Sequence, residues 1–110
     1  MKTTVIPSGH AVIIAVAGRL DAASAPQLKK EFGELLHDNR SFIFDLKDMD
    51  FIDSTGLGCI VACLKSAVEA DGNIKLVNLQ EKPRMVFEIT RAYKIFEIFD
   101  NVDTAAESYN

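Results

Sequence analysis

The sequence predicts an α/β domain: a mixed central β-sheet, antiparallel at its N-terminal strands and parallel thereafter, covered by about four helices. Three observations carry that prediction. Phe42-Ile43-Phe44, running into Asp45-Leu46, is an unbroken apolar run of the kind found in a central strand covered on both faces. From residue 24 onward, helix-type and strand-type segments alternate, which implies parallel neighbours joined by right-handed crossovers. Ahead of the alternation lie two β-rich runs separated by Pro7-Ser8-Gly9, the composition of a hairpin turn.

In chain order, Thr3–Ile6 is rich in β-branched residues and predicts the first strand, and His10–Ala17 the second. Gly18-Arg19-Leu20-Asp21 is then expected to leave the sheet. Ser24 is placed as an N-cap, with Pro26 in the first turn, where its missing N–H costs nothing. Leu28, Phe32, Leu35 and Leu36 give that helix one apolar stripe, and His37-Asp38-Asn39 ends it. The central strand follows, then a polar turn over Lys47, Asp48 and Asp50, and a short apolar Phe51-Ile52. Asp53-Ser54-Thr55-Gly56 leads into a helix with Leu57, Ile60, Val61, Leu64 and Val68 turned to the core. Gly58, Ala62, Lys65 and Glu69 would then point outward. Asp71-Gly72-Asn73 stops this helix, and Ile74–Leu79 is the next strand. Glu81–Ile89 predicts a short helix with Met85, Val86 and Ile89 on one face. Ile95–Ile98 predicts a last strand, and Val102, Ala105, Ala106 and Tyr109 a brief C-terminal helix.

At 110 residues, the chain is expected to form one domain spanning 1–110, long enough for a real core and too short for two. A net charge of −4 argues against a nucleic-acid partner, because phosphate backbones are held by basic patches. The longest apolar runs, such as Ala11–Ala17, fall far short of the roughly 18 residues a membrane span needs. No apolar segment follows Lys2 as in a signal peptide, so a cytoplasmic location is the default expectation. Cys59 and Cys63 stand four apart, without Cys-x-x-Cys spacing, and His10 and His37 are remote from them. No metal site and no cofactor is expected, and both cysteines read as small, semi-buried helix residues.

Enzymatic motifs are absent. Ile52-Asp53-Ser54-Thr55-Gly56 lacks the first glycine of a nucleophile elbow, and no histidine follows the serine. Gly56-x-Gly58 lacks the third small residue of a dinucleotide fingerprint, because position 61 is Val61. No phosphate-binding G-x-x-x-x-G-K-[ST] occurs. What stands out is Ser54, placed where a loop from the carboxyl edge of the sheet delivers it to a helix start. Its plainest role, shared with Thr55, would be to cap the helix, worth about 1 kcal/mol. A phosphate there would instead be stabilised by free N–H groups and the helix dipole. Its added charge, about −1.5 to −2, would intensify a loop already acidic through Asp48, Asp50 and Asp53.

Asp45-Leu46 followed by Phe51-Ile52-Asp53-Ser54-Thr55-Gly56-Leu57-Gly58 resembles the signature of the anti-sigma factor antagonists of the STAS domain family. Gly18-Arg19-Leu20-Asp21 is similar to that family's G-x-[LI]-D turn, and Tyr93-Lys94-Ile95-Phe96 to its closing segment. The resemblance covers nearly the whole chain and implies a STAS-type sandwich with no catalysis of its own. It implies that the unphosphorylated form binds an anti-sigma factor that is also a serine kinase, releasing the sigma factor. That kinase would phosphorylate Ser54, and a PP2C-type phosphatase would reverse it. Asp21, Asp53, Ser54, Thr55, Gly56, Leu57 and Gly58 would lie at the partner surface. Arg19 departs from the acidic or polar residue common at its position and bears on partner identity. The alternative implied by other STAS relatives is a non-switching subunit of a larger assembly, such as a lipid-transport or signalling complex.

Overall fold

The computed structural model describes residues 1–110. Strands β1 (Lys2–Ser8) and β2 (Ala11–Leu20) form the expected antiparallel hairpin, with Lys2 opposite Ala17 and Ser8 opposite Ala11. Helix α1 (Ala25–Leu36), β3 (Ser41–Asp45), β4 (Met49–Ile52), α2 (Ser54–Glu69) and β5 (Asn73–Val77) follow. Helix α3 (Glu81–Ile89), a 3-10 turn at Ala92–Lys94, β6 (Glu97–Phe99) and α4 (Val102–Glu107) complete the chain. The sheet runs β1-β2-β3-β5-β6, parallel from β2 onward, and β4 pairs in parallel with the far end of β2.

Alternation along the strands divides the core between two faces. Val12, Ile14 and Val16 of β2, Phe42 and Phe44 of β3, and Ile74 and Leu76 of β5 meet α1, α2 and α3 in the larger cluster. Phe32 of α1 anchors that layer, with its ring 4.7 Å from Phe42 and edge-on to Phe44 at 5.9 Å. Ala11, Ile13, Ile43 and Val77 face the other way and are covered by Ala105 of α4, with Val102, Ala106 and Tyr109 alongside. Lys75 also points to this face and is 5% exposed. Its ammonium donates to Ser108 Oγ at 2.5 Å, lies 3.4 Å from Glu97 Oε2 and sits 4.1 Å above the Tyr109 ring. A charge so enclosed is tolerated because it is paired and hydrogen-bonded. Burial pushes the Tyr109 phenol well above its ordinary value, and its hydroxyl donates to the Phe42 carbonyl at 2.7 Å.

Several expectations are corrected. β1 runs through Pro7, which an edge strand accommodates, and the turn falls at Gly9-His10. Residues 18–20 do not leave the sheet: β2 continues to Leu20 after a register shift between Gly18 and Arg19, where Gly18 adopts φ +88. This extension exists because β4 is there to pair with it, and β4 takes in Met49 and Asp50, which read as turn. β5 ends at Val77, with Asn78 at φ +58, and Ile95 precedes β6 as an exposed residue. On α3 it is Pro83 and Phe87 that are buried, whereas Met85 and Ile89 are exposed. On α2, Val68 is 56% exposed, and the inward face is completed by Cys59, Cys63 and Ala67.

Candidate functional site

The site is assembled where β2 and β4 end side by side. Leu20 pairs with Ile52, so Asp21 and Asp53 each follow the last paired residue of their strand. The Asp53 N–H donates to the Leu20 carbonyl at 3.3 Å, and Gly18 N–H to the Asp48 carbonyl at 2.9 Å, tying the two exits together. Gly56 completes the join. A Cβ at that position would collide with the Leu20 carbonyl oxygen, so only glycine lets the first turn of α2 lie against the end of β2.

Asp53, not Ser54 or Thr55, caps α2. Its backbone is extended (φ −107, ψ −176), and its carboxylate accepts the Gly56 N–H at 2.7 Å. Its carbonyl accepts the Leu57 N–H at 2.9 Å, the first bond of the helix. Ser54 is therefore the first helical residue, exposed, with its hydroxyl taking no part in the cap. Thr55 and Gly58 are exposed beside it, whereas Gly56 and Leu57 are buried and serve to seat the turn rather than to meet solvent. The acidic residues foreseen around the loop, Asp48 and Asp50, lie on its exposed side.

Across the join, Ser24 holds the N-cap position of α1 as expected, without a side-chain cap bond, and Asp21 braces the turn before it. Its Oδ1 accepts the N–H groups of Ala23 and Ser24, each at 3.1 Å. Ser24 is not a side-chain cap: its Oγ accepts the Asp21 N–H at 3.0 Å and donates to the Arg19 carbonyl at 2.8 Å. The Ser24 N–H first, with the Ser24 hydroxyl, the Ala23 N–H and the nearby Arg19 guanidinium, holds the Asp21 carboxyl below its ordinary value against an opposing desolvation. Arg19 lies 3.6 Å from Asp21 Oδ2 and stacks on Phe51 with its guanidinium carbon 3.8 Å from the ring centre. Both are solvent-exposed, so a cation and an aromatic ring stand on the same rim as the acidic residues.

Between α1 and α2, immediately beside Thr55, runs a shallow groove of about 350 Å³. Ala22, Ala25, Gly58 and Ala62 line it, with Lys29 and Pro26 on the α1 side. The α1 half of this groove was not anticipated from the sequence. Its only trace there is the run of small residues before α1, which gains meaning once α1 is known to lie against α2. Cys59 sits in the groove wall, nearly buried, with its Sγ 3.3 Å from the Ala25 carbonyl, and Cys63 lies a turn deeper. The Cys59 sulfur and burial push the Cys63 thiol far above its ordinary value, so it remains a protonated packing residue.

No group of three or more metal-ligating side chains occurs, and no helix is long and apolar enough to cross a membrane. The arrangement presents two adjacent exposed hydroxyl residues, Ser54 and Thr55, with an acidic rim and a small-residue groove.

The family model described as "STAS domain" matches residues 2–105. The chain is 36% identical to the anti-sigma-B factor antagonist of Bacillus subtilis over 83 residues, 76% of each protein. A Thermotoga maritima structure, described as that of a candidate anti-sigma factor antagonist, superposes with a TM-score of 0.90 at 30% identity, covering 96% of this chain and 92% of that one. The Bacillus cell fate determinant SpoIIAA, in its phosphorylated form, shares the fold with a TM-score of 0.75 at 18% identity, over 98% of each chain. Sequence, sheet order and helix placement agree, and the chain belongs to the STAS domain family.

Proposed function

We propose that this chain, as one STAS domain over residues 1–110, is an anti-sigma factor antagonist that works by partner switching in the cytoplasm. Unphosphorylated, it binds an anti-sigma factor that is also a serine kinase; phosphorylated at Ser54, it lets go, and a PP2C-type phosphatase restores it. The chain acts by binding and carries out no catalysis. The observation that carries this reading is the division of labour at the start of α2. Asp53 satisfies the helix cap, so the Ser54 hydroxyl is exposed and structurally uncommitted. The relatives named as antagonists, and the phosphorylated form in which one fold neighbour exists, support it from outside the chain.

Magnitudes suffice without a change of shape. A hundredfold loss of affinity requires about 2.7 kcal/mol. Two unit charges 4 Å apart interact by about 4 kcal/mol at an effective dielectric of 20. A phosphate on Ser54 opposite one partner carboxylate, or against an apolar partner patch, is enough. Asp21, Asp53, Thr55 and Gly58 surround that hydroxyl on the proposed docking face, and Gly56 and Leu57 hold the turn from beneath.

Incubation with the partner kinase and ATP, followed by mapping of the modified residue by mass spectrometry, tests the proposal. Phosphate on Ser54, absent from the Ser54→Ala variant, is expected. An unmodified Ser54 refutes the switch, and stable co-purification with a transporter ATPase would place the chain among the non-switching subunits instead.

A further inference from the structure

A cavity of about 660 Å³ lies away from Ser54, between α3, the turn that follows it and β6. That is within the roughly 300–1,000 Å³ range of small-molecule sites. Leu79, Phe87, Phe96 and Ile98 make its wall apolar, and Phe87 and Phe96 meet edge-on with ring centres 6.0 Å apart. Tyr93, 44% exposed, stands at its mouth. The charged residues are Glu88, exposed, and Arg84, half-buried in the lining. Its guanidinium donates to the Leu79 carbonyl at 3.2 Å and has no carboxylate within ion-pairing distance. Glu88, one turn along α3, lines the same cavity without pairing with it.

A guanidinium carries five N–H donors in a planar fork matched to a carboxylate. One that is partly desolvated beside an apolar wall, with a single backbone acceptor, is a cation awaiting an anion. Met85 (54%) and Ile89 (78%) on α3, and Ile95 (54%) after it, are exposed at the surface. None of the three is needed to seat α3, whose buried residues are Pro83 and Phe87.

We propose that this cavity binds an apolar monocarboxylate, with its acyl or aryl body against Phe87, Phe96 and Ile98 and its carboxylate on the Arg84 guanidinium. The Tyr93 ring flanks the entrance. The site is independent of Ser54 and of the proposed partner switch.

The test uses the full chain and two probes, decanoate and 1-naphthoate, with methyl decanoate as the neutral counterpart. Two-dimensional NMR titration reports both affinity and location. Saturable one-to-one binding by at least one acid is expected, with shifts centred on Leu79, Phe87, Phe96 and Ile98; which acid binds tighter tells an acyl ligand from an aryl one. The methyl ester and the Arg84→Gln variant are each expected to bind the preferred body about tenfold more weakly or worse, the low end for a hydrogen bond to a charged group. Arg84→Lys should recover part of that loss. Equal binding of acid and ester to the unaltered chain would overturn the proposal, as would saturation only above millimolar concentrations or shifts mapping elsewhere. A dimer closed through Met85, Ile89 and Ile95 without any ligand would also overturn it.

Discussion

Gly58 stands on the exposed side of α2, with open space where a Cβ would be. Glycine in a helix interior costs about 1 kcal/mol relative to alanine, and nothing within the chain requires it at this position. The proposed partner supplies the reason, since a bare backbone lets another surface come close beside Ser54. Gly33 of α1 is an internal control, because a Cβ there would also meet nothing. Both Gly58→Ala and Gly33→Ala are expected to stabilise the fold by about 0.5–1 kcal/mol in denaturant titrations. Only Gly58→Ala should weaken binding to the partner kinase. Asp21 makes a prediction in pH. Its folded carboxyl titrates below its ordinary value near 3.8, so its contribution is present above that value and is lost as pH falls through the folded pKa. The stability advantage of the native chain over Asp21→Asn should therefore be constant from pH 7 to about 5 and shrink below about 4. An advantage that persists unchanged into strong acid would remove the hydrogen-bonded carboxylate from the account.

At the scale of elements, the sequence made legible whatever follows from local periodicity. The hairpin, the buried β3, the three crossover helices and a brief C-terminal helix through Val102, Ala105, Ala106 and Tyr109 were all readable from spacing and turn chemistry, whereas the face on which that last helix docks was not. What escaped was decided by neighbours far away in sequence. Residues 18–20 stay extended only because β4 lies alongside, and β4 is four residues long with two acidic or exposed positions among them. On the inner face of α2, Leu57, Ile60, Val61 and Leu64 pack as expected and Val68 does not: the stripe through Ile60 continues at Cys63 and Ala67, which look less apolar than Val68. Ser24 takes the N-cap position of α1 as read from the sequence, but its hydroxyl bonds the Asp21 N–H and the Arg19 carbonyl at the end of β2, so it makes no side-chain cap bond to the helix. The α2 correction is testable. Val68→Gln should change stability by no more than about 0.5 kcal/mol, whereas Cys63→Ser should cost about 1–3 kcal/mol by burying a hydroxyl in place of sulfur. Thermal or denaturant unfolding of the two variants distinguishes them, and a reversed order would restore Val68 to the core.

In the whole molecule, the sheet separates the face closed by α4 from the layer that carries Ser54. α4 closes one face of the sheet over Ile13, Ile43 and Val77, fastened by Lys75 and Tyr109. The opposite layer of α1 and α2 is fixed by Phe32, Ile60 and the close approach of Gly56 to Leu20, and its edge presents Asp21, Asp53 and Ser54. Such a frame can accept charge at one exposed hydroxyl without refolding, because that hydroxyl bonds nothing the fold depends on. The most direct measurement is calorimetric affinity for the partner kinase of two otherwise identical chains, one with serine and one with phosphoserine at position 54. Backbone NMR spectra of both would be recorded alongside. The account predicts about a hundredfold or greater loss of affinity in the phosphorylated chain, with spectral changes confined to the start of α2 and the facing loop after β2. Equal affinity of the two forms, or a phosphorylated chain that binds weakly because its sheet has rearranged, would contradict it.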